Sequence, residues 1–241
     1  MAAPRNAVGP LPGIVWNRGG NRTFGALDDI GAFAQLSAFA AWGYRVYASN
    51  YSGNCGSDGK DEFGGMDLGD VLAMCEMARR DPACDPDRVG MFGASRGGMM
   101  TYLALAAGAN VRAAATLGGS ADLESQPSYR PEMAQEFLET FGGSAEGLRA
   151  RSAVRWPEKF PKNVPLLMLH GTADWRVSPS DSLRLASLLQ KQGSPYRLVM
   201  LEGNDHFCTE AKSEAMRQIR EWFDRFVRDR SPLPDVRPHG K

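Results

Sequence analysis

Histidine and cysteine are scarce in this sequence, and neither is spaced as metal ligands usually are. The chain has three histidines, and none of its four cysteines forms a C-x-x-C pair. No zinc-ligand pattern results, and four cysteines in 241 residues are too few for a disulfide framework. We therefore expect no metal, no cofactor and a reducing, cytoplasmic environment.

Net charge and long apolar runs are also lacking. Lys and Arg together number 28, and so do Asp and Glu, so no basic excess favours nucleic acid or an anionic membrane. No apolar run reaches the length of a membrane span. Residues 1–13 contain one arginine and no apolar centre, unlike a secretory signal. We expect neither nucleic acid nor a membrane as a partner.

What the chain does have is a regular alternation of short apolar runs and helical patterns. The predicted strands are Ile14–Asn17, Tyr44–Ser49, Val89–Phe92, Ala113–Leu117, Val164–Leu169 and Tyr196–Leu201. The predicted helices are Gly25–Trp42, Met66–Arg79, Gly98–Ala107, Ser180–Gln192 and Thr209–Arg228. Such alternation predicts a three-layer α/β domain, with helices on both faces of a mostly parallel sheet.

We place this domain at residues 14–230, between a flexible N-terminal segment (1–13) and a disordered tail (231–241) that contains three prolines. Residues 122–162 interrupt the alternation and contain one predicted helix, Pro131–Phe141. An insertion of this length after a strand forms either a cap over the site or an ordinary long crossover.

A G-x-S-x-G pentapeptide, Gly93-Ala94-Ser95-Arg96-Gly97, lies between a predicted strand and a predicted helix. In that context the serine sits on a strained turn with its hydroxyl lifted clear of the sheet. The following amide, on Arg96, opens a helix, where backbone N–H groups lack partners and favour negative charge. Ser95 is therefore the predicted nucleophile, and the Arg96 amide is one predicted oxyanion donor.

A serine nucleophile needs a histidine base, and on this type of sheet the chain order is serine, acid, histidine. His206 follows the last predicted strand and fits that order. His239 lies in the tail, and we interpret His170 as a structural residue packed under the turn that follows its strand.

The acid should lie between the serine and the histidine, on a loop after a strand. Asp174 meets this requirement, while Asp122 comes too early, before the insertion. Asp205 is adjacent to His206, and neighbouring side chains on a tight loop rarely face each other. We predict Asp174 as the acid.

Three blocks, Gly93–Thr101, His170–Val177 and Gly203–His206, resemble the catalytic blocks of the prolyl oligopeptidase-like (S9-type) family of α/β hydrolases. The resemblance extends over roughly residues 14–227. It implies an α/β-hydrolase catalytic domain that cleaves peptide or ester bonds, with Ser95 as nucleophile, Asp174 as acid and His206 as base.

One departure from the family concerns the oxyanion hole. Family members often supply a tyrosine hydroxyl from the loop after the second strand, but the matching position here falls near Gly56 or Ser57. An amide of the glycine turn at Gly19 and Gly20 is the predicted substitute.

Two aromatic residues are predicted to contact substrate. Tyr51 resembles the structural tyrosine of the same family block. Trp175 directly follows the predicted acid and either lines the acyl pocket or packs structurally.

A second departure is at the start of the sheet. The family's usual first strands, and the β-propeller that often precedes them, have no counterpart before Ile14. An exposed sheet edge would result and could pair with a second copy of the chain. The alternative function is therefore an N-terminally truncated, weak or inactive hydrolase-like protein. A dienelactone-hydrolase-like enzyme is disfavoured because the nucleophile is serine rather than cysteine.

Overall fold

A computed structural model describes residues 1–5 and 7–240. Its centre is a six-stranded sheet with the order β2-β1-β3-β4-β5-β6, in which neighbouring strands pair in parallel. The strands are β1 (Leu11–Asn17), β2 (Arg45–Tyr47), β3 (Cys84–Ala94), β4 (Ala113–Leu117), β5 (Leu166–Gly171) and β6 (Tyr196–Leu201). The predicted parallel α/β architecture is confirmed.

Helices connect the strands and cover both faces of the sheet. They are α1 (Asp29–Ala41), α2 (Leu68–Arg80), α3 (Arg96–Ala106), α4 (Gln126–Tyr129), α5 (Met133–Phe141), α6 (Ala145–Ala150), α7 (Pro179–Gln192) and α8 (Lys212–Phe223). Two short 3-10 helices, Ala153–Arg155 and Pro157–Lys159, follow α6, and a π-helical turn, Asp224–Arg228, continues α8. In the part of the chain that the structure describes, no helix is long and apolar enough to cross a bilayer.

Alternate side chains of each strand enter two separate cores, because successive residues of a strand point to opposite faces. In β3, Met91 packs in the core beneath α2, α3 and α7, and the next residue, Phe92, packs in the core beneath α1 and α8. Both faces are buried, which explains why the strands are continuously apolar instead of alternating with polar residues.

Helix α1 differs from its prediction in its start and in its buried face. It begins at Asp29 rather than Gly25, because Asp28 caps it by accepting a hydrogen bond from the Gly31 amide. Leu36 and Phe39 are buried as predicted, whereas Ile30 and Phe33, placed on the same face by the pattern, are 82% and 76% exposed. The strand beneath α1 is the edge strand β2, which has only three residues. The sheet therefore offers little apolar surface against which the first turns of α1 could pack.

The N-terminal segment also differs from the prediction. Ala2 forms an antiparallel bridge with Val46 of β2 through two backbone hydrogen bonds, of 3.0 and 2.8 Å. Strand β1 begins at Leu11, within the segment predicted to be flexible. Residues 1–13 therefore contribute to the sheet at both of their ends, and Ala2 covers part of the edge that was expected to be bare. Residues 231–240 are largely exposed and contain neither helix nor strand.

Candidate active site

Ser95 lies at the sharp turn between β3 and α3, with φ of 56° and ψ of −123°. A non-glycine residue with positive φ is strained by about 1–3 kcal/mol. The flanking glycines make the turn feasible, because a Cβ at Gly93 would overlap the Gly97 carbonyl and a Cβ at Gly97 would overlap the Asn17 carbonyl. The pentapeptide therefore adopts the predicted strand–turn–helix context.

Asp174 and His206 form a buried pair at the same edge of the sheet. His206 Nδ1 lies 2.7 Å from Asp174 Oδ2, although 32 residues separate them in the sequence. The other carboxylate oxygen, Oδ1, accepts hydrogen bonds from the backbone amides of Arg176 (2.8 Å) and Val177 (3.0 Å). The tight turn after β5 thus fixes the carboxylate so that its second oxygen faces the imidazole.

Hydrogen bonding keeps Asp174 ionised. Burial would raise the pKa of Asp174, but the hydrogen bonds from His170, His206 and the Val177 amide outweigh burial and hold the pKa well below its ordinary value. An ionised Asp174 accepts a hydrogen bond from the Nδ1–H of His206, which leaves Nε2 of the same ring as the basic nitrogen.

His170 lies under the turn after β5, as predicted for a structural residue, and it also lies close to Asp174. Its ring is fully buried, with Nε2 at 3.0 Å from Asp174 Oδ2 and 3.1 Å from the Val177 carbonyl. Because a carbonyl only accepts, Nε2 carries the proton, and Nδ1 accepts from the Ser182 hydroxyl at 2.7 Å. The same Nε2–H group therefore lies between the Val177 carbonyl and the carboxylate oxygen that contacts His206.

Ser95 and His206 line one cavity of about 550 Å³. Its walls include the aromatic side chains of Trp16, Phe24, Phe63, Phe137 and Phe207. Among the described residues no hydrogen bond joins the Ser95 hydroxyl to His206, and such bonds commonly tighten only when substrate binds. The cavity is the space in which a bound acyl group would meet both side chains.

The insertion of residues 122–162 contributes part of this cavity wall. Leu123, Gln126, Met133, Glu136 and Phe137 all line the cavity. The insertion therefore forms part of the wall of the cavity that Ser95 lines.

The residues predicted to supply oxyanion donors lie in the same cavity as Ser95. Gly19, Gly20 and Arg96 line the cavity with Ser95, and a Cβ at Gly19 would lie 3.4 Å from the Ser95 Cβ. As the first residue of α3, Arg96 has an amide without a partner inside its own helix. Gly19, Gly20 and Arg96 thus share a cavity with Ser95, whereas Gly56 and Ser57 are not among the residues that line it.

The side chain of Arg96 points away from the substrate space. It is 2% exposed, and its guanidinium pairs with Asp61 and with Asp67 (2.8 Å) and lies over the Phe63 ring, 4.4 Å from the centroid. This side chain holds the loop after β2 against the start of α3, so Arg96 can serve the oxyanion only through its backbone.

Tyr51 and Trp175, predicted to bind substrate, are not among the residues that line the cavity. Tyr51 is buried, and its hydroxyl donates to the Arg18 carbonyl at 2.9 Å. Trp175 is 55% exposed and carries the Arg176 guanidinium over its ring at 4.4 Å. The Tyr51 hydroxyl thus binds a backbone carbonyl, and the Trp175 ring packs against an arginine. The sequence pattern did not predict these contacts.

Asp205, the alternative acid, has other partners. Its carboxylate accepts hydrogen bonds from the Phe207 amide (3.0 Å) and from the amide and hydroxyl of Thr209. Asp205 therefore stabilises the turn that carries His206, while Asp174 contacts the imidazole itself.

Known proteins resemble both the sequence and the structure. Residues 32–230 match the model of the prolyl oligopeptidase family. The chain is 26% identical to "Uncharacterized peptidase YtmA" of Bacillus subtilis over 89% of this chain and 84% of that protein. It is 27% identical to dipeptidyl-peptidase 5 of Porphyromonas gingivalis over 90% of this chain and 34% of that protein.

A solved structure supports the same fold. The acylaminoacyl peptidase of Pyrococcus horikoshii superimposes with a TM-score of 0.80 and 22% identity, over 97% of this chain and 40% of that one. This chain therefore spans most of one relative and well under half of the two larger proteins.

Proposed function

This chain belongs to the prolyl oligopeptidase family of serine hydrolases, and from that premise we propose that it cleaves peptide bonds through Ser95, His206 and Asp174. The carrying observation is the buried 2.7 Å contact between His206 Nδ1 and Asp174 Oδ2, beside a cavity that Ser95 and His206 share. This arrangement supplies the nucleophile, base and orienting carboxylate that two-step acyl transfer requires.

In the first step the Ser95 hydroxyl attacks the substrate carbonyl carbon while His206 Nε2 takes its proton. The negative charge that develops on the carbonyl oxygen is stabilised by the Arg96 amide and an amide of the Gly19–Gly20 turn. One such donor contributes about 10²- to 10³-fold in rate. The protonated His206 then gives its proton to the leaving amine, and an acyl group remains on Ser95.

In the second step water attacks the acyl-enzyme. His206 accepts a proton from this water and returns it to the Ser95 oxygen as the acid product departs. Asp174 stays ionised throughout, because the hydrogen bonds that it accepts hold its pKa low, and it stabilises the imidazolium in both steps.

The names of the relatives favour peptides over simple esters as substrates, since all three are peptidases. A cavity of about 550 Å³ with aromatic walls accommodates a short apolar peptide segment. Esters remain chemically competent substrates, because an activated ester is attacked by the same nucleophile.

A panel of aminoacyl p-nitroanilides beside p-nitrophenyl esters tests this proposal. We expect the wild-type protein to hydrolyse anilides, and Ser95→Ala to lose hydrolysis of both classes. Hydrolysis of esters alone would restrict the function to that of an esterase. Equal rates for wild type and Ser95→Ala would refute the assignment of Ser95.

A further inference from the structure

We propose that Glu136 on the cap helix α5 binds a positively charged amino group of the substrate inside the catalytic cavity. The inference rests on the proposed hydrolase function and adds a preference for substrates with a free amine. A carboxylate in a mostly apolar wall, with one oxygen left without a hydrogen-bond donor, is the observation that carries it.

One face of α5 forms part of the cavity wall. Met133, Glu136 and Phe137 line the cavity, and their spacing of three and four residues places them on the same side of a helix. The Glu136 side chain is only 12% exposed. An ionisable group in this position is costly to bury between two apolar neighbours unless it is paired.

The two oxygens of Glu136 have different surroundings. Oε2 lies 3.5 Å from the guanidinium of Arg22, on the turn that follows Gly20. Oε1 is buried and has no hydrogen-bond partner in the described part of the chain. Arg22 therefore neutralises one side of the carboxylate and leaves Oε1 without a donor. A rotation of the carboxylate about its last side-chain bond would bring this oxygen to the cavity, where a substrate ammonium can supply the missing donor.

Arg22 is shared with a second carboxylate, and this sharing weakens its hold on Glu136. Its guanidinium makes a closer contact with Glu139, whose side chain is 44% exposed and which does not line the cavity. Glu136 consequently retains much of its capacity to accept a charge-assisted hydrogen bond. Glu139 provides a matched control, since it touches the same arginine from outside the cavity.

Two of the cations that line the cavity lie near the proposed acid. Arg130 pairs with Glu132 at 2.6 Å and lies over the Trp175 ring, and Arg176, two residues after Asp174, lies over the same ring. Lys212, at the start of α8, also lines the cavity. A substrate ammonium is therefore placed more favourably beside Glu136 than beside Arg176, and this difference in charge can orient a peptide in the cavity.

The test compares pairs of substrates that differ only at the amine: alanine p-nitroanilide and alanyl-alanine p-nitroanilide, each with a free and with an acetylated amine. The measured quantity is the ratio of kcat/KM for the free over the acetylated member. Because both members are assayed on the same preparation, the ratio does not depend on the folded fraction. The proteins are wild type, Glu136→Gln and Glu139→Gln.

We expect wild type to favour the free amine for at least one chain length. Glu136→Gln should lower that ratio by about tenfold to a hundredfold, as loss of a charge-assisted hydrogen bond predicts. Glu139→Gln should change it by less than about fivefold, the usual scale for an exposed ion pair.

A wild-type preference for acetylated substrates at both lengths would overturn the inference and leave the hydrolase function intact. The same holds if Glu136→Gln leaves the ratio unchanged, or if Glu139→Gln lowers it equally. Absence of hydrolysis of every substrate by wild type would instead overturn the proposed function, and this inference with it.

Discussion

Replacement of His170 tests whether the carboxylate of Asp174 is held by a second histidine. His170→Leu removes both ring nitrogens, whereas His170→Gln keeps an N–H group near the position of Nε2. In wild type, four N–H groups lie within 3.0 Å of the Asp174 carboxylate: those of His206, His170 and the amides of Arg176 and Val177. The leucine variant leaves Oδ2 with His206 alone.

Two effects should follow from the leucine replacement, and their sizes come from these contacts. A hydrogen bond to a charged group contributes about 1.5–3 kcal/mol, so we expect the free energy of unfolding to fall by about that amount. With one donor fewer, the pKa of Asp174 rises toward its usual value, and the carboxylate interacts more strongly with an imidazolium. The acid limb of the pH profile of kcat/KM should then move to higher pH, by up to about one unit.

The assay is the pH dependence of kcat/KM with a p-nitroanilide or ester substrate, beside urea unfolding of each variant. We expect His170→Gln to keep an acid limb close to that of wild type, because its amide still donates to Asp174. If His170→Leu gives the wild-type pH profile and loses only stability, His170 fills space and does not position the acid.

Three further predictions address other parts of the site. Asp174→Ala should lower kcat by about 10⁴-fold, which is the scale expected for loss of the orienting carboxylate. Asp205→Ala should retain most activity, because Asp205 only stabilises the turn that carries His206. Steady-state kinetics measures both effects. Ser95→Gly should be more stable than Ser95→Ala by about 1 kcal/mol in urea unfolding, since glycine adopts the positive φ at that position without strain. Burial and the charge of Asp122 raise the pKa of Asp181 to about 7, so the stability that protonated Asp181 contributes is lost as pH rises from about 4 through 7. Over this range the free energy of unfolding of wild type should fall relative to that of Asp181→Asn.

Each of these predictions has an outcome that contradicts it. A larger kinetic loss in Asp205→Ala than in Asp174→Ala would mean that the wrong carboxylate was assigned. Equal stability of the glycine and alanine variants at position 95 would show that the turn is unstrained. Parallel stability curves of wild type and Asp181→Asn between pH 4 and 7 would show that Asp181 is ionised in the folded protein.

The sheet and the catalytic loops were predictable because their signals are local. Strand β3, the glycines around Ser95 and helix α3 are adjacent in sequence, and the close backbone approach at Gly93 and Gly97 admits few other residues. The contact of Asp174 with His206 was predictable from the chain order expected of a serine, acid and histidine and from the turn after a strand on which Asp174 lies.

Side chains whose partners come from distant segments were not predictable. Tyr51 was predicted to contact substrate because an aromatic side chain is typical of a pocket. Its hydroxyl instead donates to the carbonyl of Arg18, 33 positions away. Arg96 is paired with Asp61, 35 positions away. Hydrophobic periodicity assigned Ile30 and Phe33 to the core, but it carries no information on how far the sheet extends beneath α1.

The role of His170 was missed for a related reason. Its spacing of four residues from Asp174 across a tight turn is a local signal, but buried histidines after strands are common and the pattern does not identify what the ring contacts. The orientation of the ring depends on Ser182, on helix α7.

Covalent labelling with a fluorophosphonate, followed by mass spectrometry of the peptide that carries the adduct, tests the central claim most directly. We expect wild type to acquire one adduct, on Ser95, and Ser95→Ala with a wild-type melting temperature to acquire none. An adduct on another residue, or equal labelling of folded Ser95→Ala, would contradict the assignment of the nucleophile and the mechanism built on it.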